Sequence, residues 1–245
     1  MKRTLTLLIL LVTANTLLAQ DTTGTSSPIP VRVSIAERGS DHFILQYGLT
    51  GWSGTPDSIR TKGFSRHFNI YFLFDKPFKT NPKLSVAYGV GIGSDNVFFK
   101  NTNIDLKSPN ATIAFTNSDS SNHFKKYKLT TIYAEAPIEL RFTSNPADPA
   151  SGIKVAVGAK VGTLLKAFTK GKDLVNKNDQ SLYGNRYIVK EAEKHFFNGT
   201  RISLTGRIGY GHFSLHGAYQ ITQLLKENVG PEIRPFQIGL TVSGL

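Results

Sequence analysis

The sequence predicts an all-β fold, an eight-stranded antiparallel up-and-down transmembrane β-barrel with long extracellular loops and short periplasmic turns. Two observations predict it. Eight runs that alternate apolar with small or polar residues follow an N-terminal export signal. No later segment offers the roughly 20 continuous apolar residues of a membrane helix. Because only helices and closed barrels span bilayers, an exported chain of this type is either a soluble protein or an outer-membrane barrel.

The N-terminus has the pattern of an export signal. Lys2 and Arg3 form a positive region, residues 5–12 form a short apolar segment, and the small residue Ala19 marks the expected cleavage point. The apolar segment is too short to span a bilayer comfortably, which argues against a membrane anchor. The chain therefore divides into a signal peptide (1–19), an extended Thr-, Ser- and Pro-rich segment (20–40) and the barrel (41–245).

Apolar side chains recur at every second position in eight runs, which is the periodicity of a strand with one apolar face. In chain order the runs cover residues 42–51, 64–74, 84–93, 130–142, 153–165, 201–210, 213–221 and 236–242. Most are about the 9–11 residues that a tilted strand needs to cross a bilayer. Pro137 lies inside the fourth run, and because proline donates no ladder hydrogen bond we expect a bulge or bend there.

The apolar faces of the runs carry bulky side chains. In the first four runs they include Phe43, Leu45, Tyr47 and Leu49; Phe68, Ile70, Phe72 and Phe74; Leu84, Val86, Tyr88, Val90 and Ile92; and Ile132, Ile138, Leu140 and Phe142. In the last four they include Val155, Val157 and Val161; Ile202, Leu204 and Ile208; Leu215 and Tyr219; and Ile238 and Leu240. The opposite faces are rich in Gly, Ala, Ser and Thr.

Two barrels fit this alternation, a soluble lipocalin-like barrel with the bulky face inside and a membrane barrel with the bulky face outside. The interior of an eight-stranded barrel is only just wide enough to be filled by its own side chains. It cannot hold several large side chains from every strand, so the bulky face is expected to contact lipid.

The connections between the runs alternate in length, as expected when one barrel end faces the exterior and the other the periplasm. Residues 94–129 and 166–199 form long polar loops, whereas 143–151 and 211–212 form short turns. This places both ends of the chain on the periplasmic side. Within the second long loop, residues 187–197 are expected to form a short surface helix.

Several of these segments resemble the PorT-type outer-membrane β-barrel family. The resemblance is carried by the end of the export signal, LLAQ, by YAEAPIELRF at 133–142, by GIKVAVGAKVGTLL at 152–165 and by RPFQIGLTV at 234–242. It covers most of the mature chain. The resemblance implies an outer-membrane location, and the member that gives the family its name serves protein secretion.

Charged and titratable residues fall on the predicted lumenal face. They are Glu135, Glu139, Arg141, Lys154, Lys160, Arg201, Arg207 and His216. They could form a charged conduit or a proton-linked site, but buried charges must be paired, so we favour an internal salt-bridge network that plugs the barrel. Strands four and five are neighbours, and we therefore expect the glutamates to pair with Lys154 or Lys160.

No residue pattern in the chain specifies catalysis, a cofactor or a metal site. Asp119, Ser120, Ser121 and His123 lie close together in one loop, but close sequence spacing does not establish the geometry of a catalytic triad. The chain has no cysteine, and its six histidines lack metal-ligand spacing. We therefore expect no enzyme activity and no cofactor.

The formal charge of +12 invites comparison with nucleic-acid-binding proteins, but the positive residues are scattered and an exported protein rarely meets nucleic acid. We expect the charge to attract outer-membrane lipid and lipopolysaccharide. The leading hypothesis is a non-enzymatic scaffold or binding platform whose loops 94–129 and 166–199 contact envelope or secretion proteins. The alternatives are a small-solute channel, a loop-sited lipid-modifying enzyme and a soluble ligand-binding barrel.

Overall fold

The computed structural model describes residues 42–62, 64–118, 121–148 and 151–244. The predicted signal peptide (1–19) and extended segment (20–40) lie outside these residues. The strands are β1 (Phe43–Ser53), β2 (Arg66–Pro77), β3 (Leu84–Phe99), β4 (Thr102–Ile104), β5 (Phe115–Asn117), β6 (His123–Thr143), β7 (Ile153–Val175), β8 (Ile188–Ala192), β9 (Thr200–Tyr210), β10 (Phe213–Gln220) and β11 (Arg234–Ser243). In the described part of the chain, no helix is long and apolar enough to cross a bilayer.

Eight of the strands form a closed antiparallel ring in the order β1, β2, β3, β6, β7, β9, β10, β11. The ring closes where β1 pairs with β11, for example Tyr47 with Leu240 and Leu49 with Ile238. Consecutive ring strands are neighbours, so the predicted eight-stranded up-and-down barrel is confirmed. The remaining strands lie in connections: β4 and β5 form a small hairpin, and β8 extends the sheet beside β7.

The two faces of the ring differ as predicted. Outward-facing apolar side chains such as Val90, Phe213 and Leu240 are all more than 60 % exposed. Inward-facing polar side chains such as His67 and Asn69 are completely buried. Closure pairs the ring strands with one another around the apolar belt, which a bilayer requires because it offers backbone groups no other partner.

Three strands, β3, β6 and β7, run six or more residues past their predicted limits and extend the barrel at the end that carries the long loops. β6 has 21 residues and β7 has 23, about twice the number that a tilted strand needs to cross a bilayer. The expectation that 94–129 and 166–199 are loops throughout is therefore wrong for their strand portions. The alternation continues there with inverted polarity: Leu129 is buried inside, whereas Lys128 faces outward.

The predicted helix at 187–197 is also wrong. Residues 188–192 form β8, which pairs with β7 through partners such as Lys170 and Lys190. The physical reason is a free sheet edge. β9 pairs with β7 only as far as Thr163, so the outer part of β7 would otherwise expose unpaired backbone groups.

Pro137 does not cause the expected bulge. It lies opposite Lys160 in the β6–β7 ladder, and the register between β3 and β6 is the same on both sides of it. The register shift instead lies between Ile132 and Tyr133, where Leu165 is the extra residue on β7. This bulge lies where the strands leave the apolar belt, a position at which bulges re-aim side chains.

Candidate functional site

The lumen holds a hydrogen-bonded network to which all eight ring strands contribute. Its members are Gln46 on β1, His67, Asn69 and Tyr71 on β2, Asp95 on β3, Glu135 on β6, Lys160 on β7, Arg201 on β9, His216 on β10, and Gln237 and Thr241 on β11. These residues are brought together because inward positions recur at every second residue of each strand.

The centre of the network is a buried cluster of two carboxylates and two cations. Arg201 Nη1 lies 2.6 Å from Asp95 Oδ2, and Arg201 Nε donates to Glu135 Oε1 at 2.8 Å. Lys160 Nζ lies 3.3 Å from Glu135 Oε2, which also accepts a 2.5 Å hydrogen bond from Tyr71 Oη. The formal charges cancel, and this balance is what makes burial of the four groups tolerable.

A second ion-pair cluster lies nearer the short-turn end. Arg141 Nε and Arg207 Nη2 both donate to Glu139 Oε2, at 2.9 and 3.0 Å. Arg141 also lies 3.6 Å from Asp75, which accepts a hydrogen bond from Ser85. The two clusters occupy successive levels of the lumen, so charged side chains fill it over much of its length.

Two histidines, from β2 and β10, meet beside the central cluster. His67 Nε2 and His216 Nε2 are 2.8 Å apart, and His67 Nδ1 lies 3.1 Å from the carbonyl oxygen of Leu49. The carbonyl requires His67 Nδ1 to donate. With both rings neutral, His67 Nε2 then accepts from His216 Nε2, and His216 Nδ1 accepts from the Thr241 hydroxyl, 2.9 Å away. Two neutral rings satisfy every one of these contacts.

The structure places all eight predicted lumenal residues inside the barrel with at most 8 % exposure. It joins Glu135 to Lys160 and Arg201, and Glu139 to Arg141 and Arg207. Lys154 is buried at the short-turn end of β7. His216 contacts His67 and Thr241 rather than a carboxylate.

Several members of the network were not predicted, although the alternation along the strands places them on the inward face. Asp95 continues the inward parity of Gly91 and Gly93, but it lies just beyond the predicted end of that strand. Tyr71 and Asn69 were on the inward face of the second run, but neither is charged. Strand parity alone, extended past the apolar belt, would have identified all of them.

Little space is left between these side chains. One lumenal cavity of about 20 Å³ lies between the two clusters, beside Tyr71, Lys160 and Arg207. Another of about 10 Å³ lies beside Arg201 and Gln237. Each has room for about one water molecule.

Above the network, the long-loop end is closed by an apolar core that we call the cap. All four connections at this end contribute to it. Its buried members are Ile59, Val97, Phe99, Ile104, Leu106, Ile113, Tyr127, Leu129, Tyr133, Leu164, Ala167, Phe196, Phe197, Leu224, Leu225 and Ile233. Tyr127 Oη also donates to the carbonyl oxygen of Ile104, at 2.8 Å, and accepts from its N–H. The loops thus form a small folded unit.

Gly91 leaves free the space that the Tyr71 side chain occupies as it crosses the lumen. Gly91 is the cross-strand partner of Tyr71, and an added Cβ would lie 2.1 Å from Ile70 O and 2.4 Å from Tyr71 Cδ1. We expect Gly91→Ala to lower the free energy of unfolding by about 1–3 kcal/mol, because overpacking displaces backbone. Urea titration of the barrel in vesicles measures it.

Gly206→Ala is the matched control, because the nearest atom to its added Cβ is 4.0 Å away. We expect it to change stability by no more than about 0.5 kcal/mol. Equal effects of the two substitutions would show that a general loss of chain flexibility, rather than the space for Tyr71, governs the result.

Ser121 and His123, the two described residues among the loop candidates for catalysis, are not arranged as parts of a catalytic triad. His123 Nδ1 lies 3.2 Å from the carbonyl oxygen of Ser121, and its Nε2 lies 3.4 Å from Asp179. Asp119 and Ser120 lie outside the described residues. Within the described ranges, no group of three or more His, Asp or Glu residues could hold a metal ion.

A family model described as outer membrane protein beta-barrel domain matches residues 41–242, which covers nearly all of the ring. Among solved structures, the chain is similar to Ail, the attachment invasion locus protein of Yersinia pestis. The identity is 11 %, the match covers 82 % of this chain and 95 % of that chain, and the TM-score is 0.32. No curated protein matches the chain.

Proposed function

The chain belongs to the outer membrane protein beta-barrel domain family, and from this premise we propose that it is a closed, non-enzymatic scaffold in the bacterial outer membrane. In this proposal the long-loop end is extracellular, as is usual for such barrels. The observation that carries the proposal is the network that links all eight ring strands across the lumen. A lumen crossed at this many points supports a platform rather than a pore.

The lumenal acids and bases bond to one another, and this supports a structural role for them. Glu135 is bonded to Arg201, Lys160 and Tyr71, so its carboxylate oxygens are already used. A catalytic acid or base must instead reach a substrate proton. Arg201 is likewise held between Asp95 and Glu135.

The cap supports the binding role. Its core fixes the four extracellular connections on one another, so the surface they present to the outside is preorganised, which lowers the entropic cost of binding a partner. We propose that this surface contacts envelope or secretion proteins, in keeping with the PorT-type resemblance. The contact segments are the described portions of 94–129 and 166–199 that lie beyond the ring strands, chiefly 100–118, which includes the β4–β5 hairpin, and 176–187.

Planar-bilayer recording tests whether the lumen is closed. We expect the purified barrel to show no steady conductance, because side chains fill the lumen at two levels. A porin with a water-filled lumen, recorded under the same conditions, is the positive control for detecting channels. Steady channels in the unmodified protein would overturn the scaffold proposal.

Site-specific photo-crosslinking tests the partner surface in intact envelopes. A crosslinking residue at Tyr183, which is 67 % exposed in the β7–β9 connection, should give discrete protein adducts. The same residue at exposed Asn81, in the short β2–β3 turn, is the control. Adducts at Asn81 alone would place the partner in the periplasm and contradict binding by the loops.

A further inference from the structure

The outer wall of the barrel extension carries a group of cations that we call the basic patch. It consists of Arg66, Lys126, Lys128, Lys166, Lys170, Lys172 and Lys190. The strand register sets these residues side by side: Lys128 lies opposite Lys170, which lies opposite Lys190, and Lys126 lies opposite Lys172. They face outward because their neighbours of opposite parity, such as Tyr127 and Leu129, are buried in the cap.

The basic patch lacks counter-charges. Among the described residues, none of its seven cations forms an ion pair, and Lys128 donates instead to the amide oxygen of Asn96, 2.6 Å away. Like charges directly opposite in a sheet are destabilising. Burial lowers the pKa of Lys128, and Lys170, Arg66 and Lys190 lower it further. A row of cations without counter-charges favours binding of an anion from outside the protein.

The basic patch begins where the apolar belt ends. On β6 the outward positions pass from Ile138 through Ala136 and Ala134 to Lys128, and on β7 they pass from Val161 and Leu165 to Lys166. This is the level at which lipid head groups of the outer leaflet meet a barrel. The anion is therefore expected to be a head group.

Two aromatic rings lie within the basic patch. Arg66 and Lys128 lie 5.6 and 5.8 Å from the centre of the Phe98 ring, and Lys190 lies 4.2 Å from that of Phe168. Aromatic side chains favour the membrane interface, and here they also hold the cations in place through cation–π contacts.

An apolar groove of about 500 Å³ lies below Arg66 on the same outer wall. It is lined by Phe64, Arg66 and the facing segments 47–49 of β1 and 238–240 of β11, in which Gly48 lies opposite Gly239. The paired glycines leave its floor without side chains, and Arg66 reaches over it to within 3.4 Å of Tyr47 Oη. A cation at the mouth of an apolar groove matches a phosphate attached to an acyl chain.

We propose that the basic patch binds the phosphates of a phosphorylated glycolipid of the lipopolysaccharide type, and that the groove beside Arg66 takes one of its acyl chains. The inference rests on the proposed function only in that this barrel end faces outward in the outer membrane. Seven cations spread over four strands suit a head group with more than one phosphate better than a single phosphodiester, which one or two cations neutralise.

Native mass spectrometry of the protein, purified in detergent, tests the proposal. The probes are bis-phosphorylated lipid A, the same lipid without phosphates, phosphatidylglycerol and inorganic phosphate. We expect lipid A to bind, and the triple variant Lys128→Gln, Lys170→Gln, Lys190→Gln to bind it about 10- to 100-fold more weakly, given the usual contribution of a cation at a charged surface. The matched control is Lys76→Gln, Lys79→Gln, Lys83→Gln, on the opposite barrel end, which should retain affinity within about twofold.

Heat-dependent gel mobility separates misfolding from loss of binding. Removing like charges should leave the lipid-free triple variant at least as stable as the parent. Unchanged lipid A binding by a folded triple variant would overturn the proposal, as would equal binding of the lipid without phosphates. Equal affinity for inorganic phosphate or phosphatidylglycerol would overturn the glycolipid assignment. None of these results depends on conductance or on protein partners, so they are distinguishable from failure of the scaffold proposal.

Discussion

Glu135→Gln is expected to lower the free energy of unfolding by about 3–5 kcal/mol, the usual cost of removing one partner of a buried ion pair. The substitution preserves the shape of the side chain and keeps an oxygen that can accept the hydrogen bond donated by the Tyr71 hydroxyl. It removes, however, one of the two negative charges that balance Arg201 and Lys160. Urea titration of the barrel in lipid vesicles measures the change. Glu227→Gln, at an exposed position of the β10–β11 connection, is the control and should be nearly neutral.

The charge balance makes a sharper test possible with a double substitution. Lys160→Met alone should also destabilise, because it leaves Asp95 and Glu135 with one cation. Glu135→Gln combined with Lys160→Met leaves the Asp95–Arg201 pair balanced, so the double variant should cost clearly less than the sum of the single variants. Strict additivity would show that these residues contribute by packing, and that their charges are solvated.

Phe99→Ala is expected to destabilise the cap by about 3–5 kcal/mol while leaving the transmembrane ring folded. Phe99 is 1 % exposed and packs against Trp52 and Tyr127, with ring centres 5.4 and 6.3 Å away. The lost contacts lie within the cap, so its opening should not require the ring to open. Protease treatment of intact cells should cleave the variant in the segment 100–122 far faster than the parent.

Phe64→Ala is the control for this prediction, because Phe64 is 81 % exposed and lies outside the cap core. Its cleavage rate should match that of the parent. Heat-dependent gel mobility reports on the ring in the same samples and should be unchanged for both variants. A loss of the folded ring in Phe99→Ala would show that cap and ring unfold together, contrary to the prediction.

The ring could be predicted from the sequence because its signal is repeated and local. Each crossing strand alternates bulky and small residues, and a narrow interior admits only one assignment of the two faces. The barrel extension escaped prediction for a physical reason. Beyond the belt, water replaces lipid, so the outward residue becomes Lys128 while the inward residue becomes Leu129. A search for apolar outward faces therefore stops while the strand continues.

The partners within the lumen could be predicted only in part. Lys160 and Glu135 lie on adjacent strands, so their proximity follows from strand order alone. His67 and His216 are separated by 149 residues and by two intervening strands, and they meet only because the ring is closed and narrow. Such contacts depend on curvature and stagger, which no local pattern encodes.

The inversion of polarity along β6 and β7 has a consequence for how the barrel sits in its membrane. If the whole molecule moved towards the periplasm by the height of two residues, its inward and outward side chains would keep their directions. Lys128 and Lys166, however, would move towards the hydrocarbon. Lysine at the bilayer midplane costs about 2–4 kcal/mol, and the cost falls towards the interface. A shift the other way would lift Val161 and Leu165 into water. The outward side chains of β6 and β7 therefore set the depth of the protein in the membrane. They also set how far its long loops project beyond the bilayer.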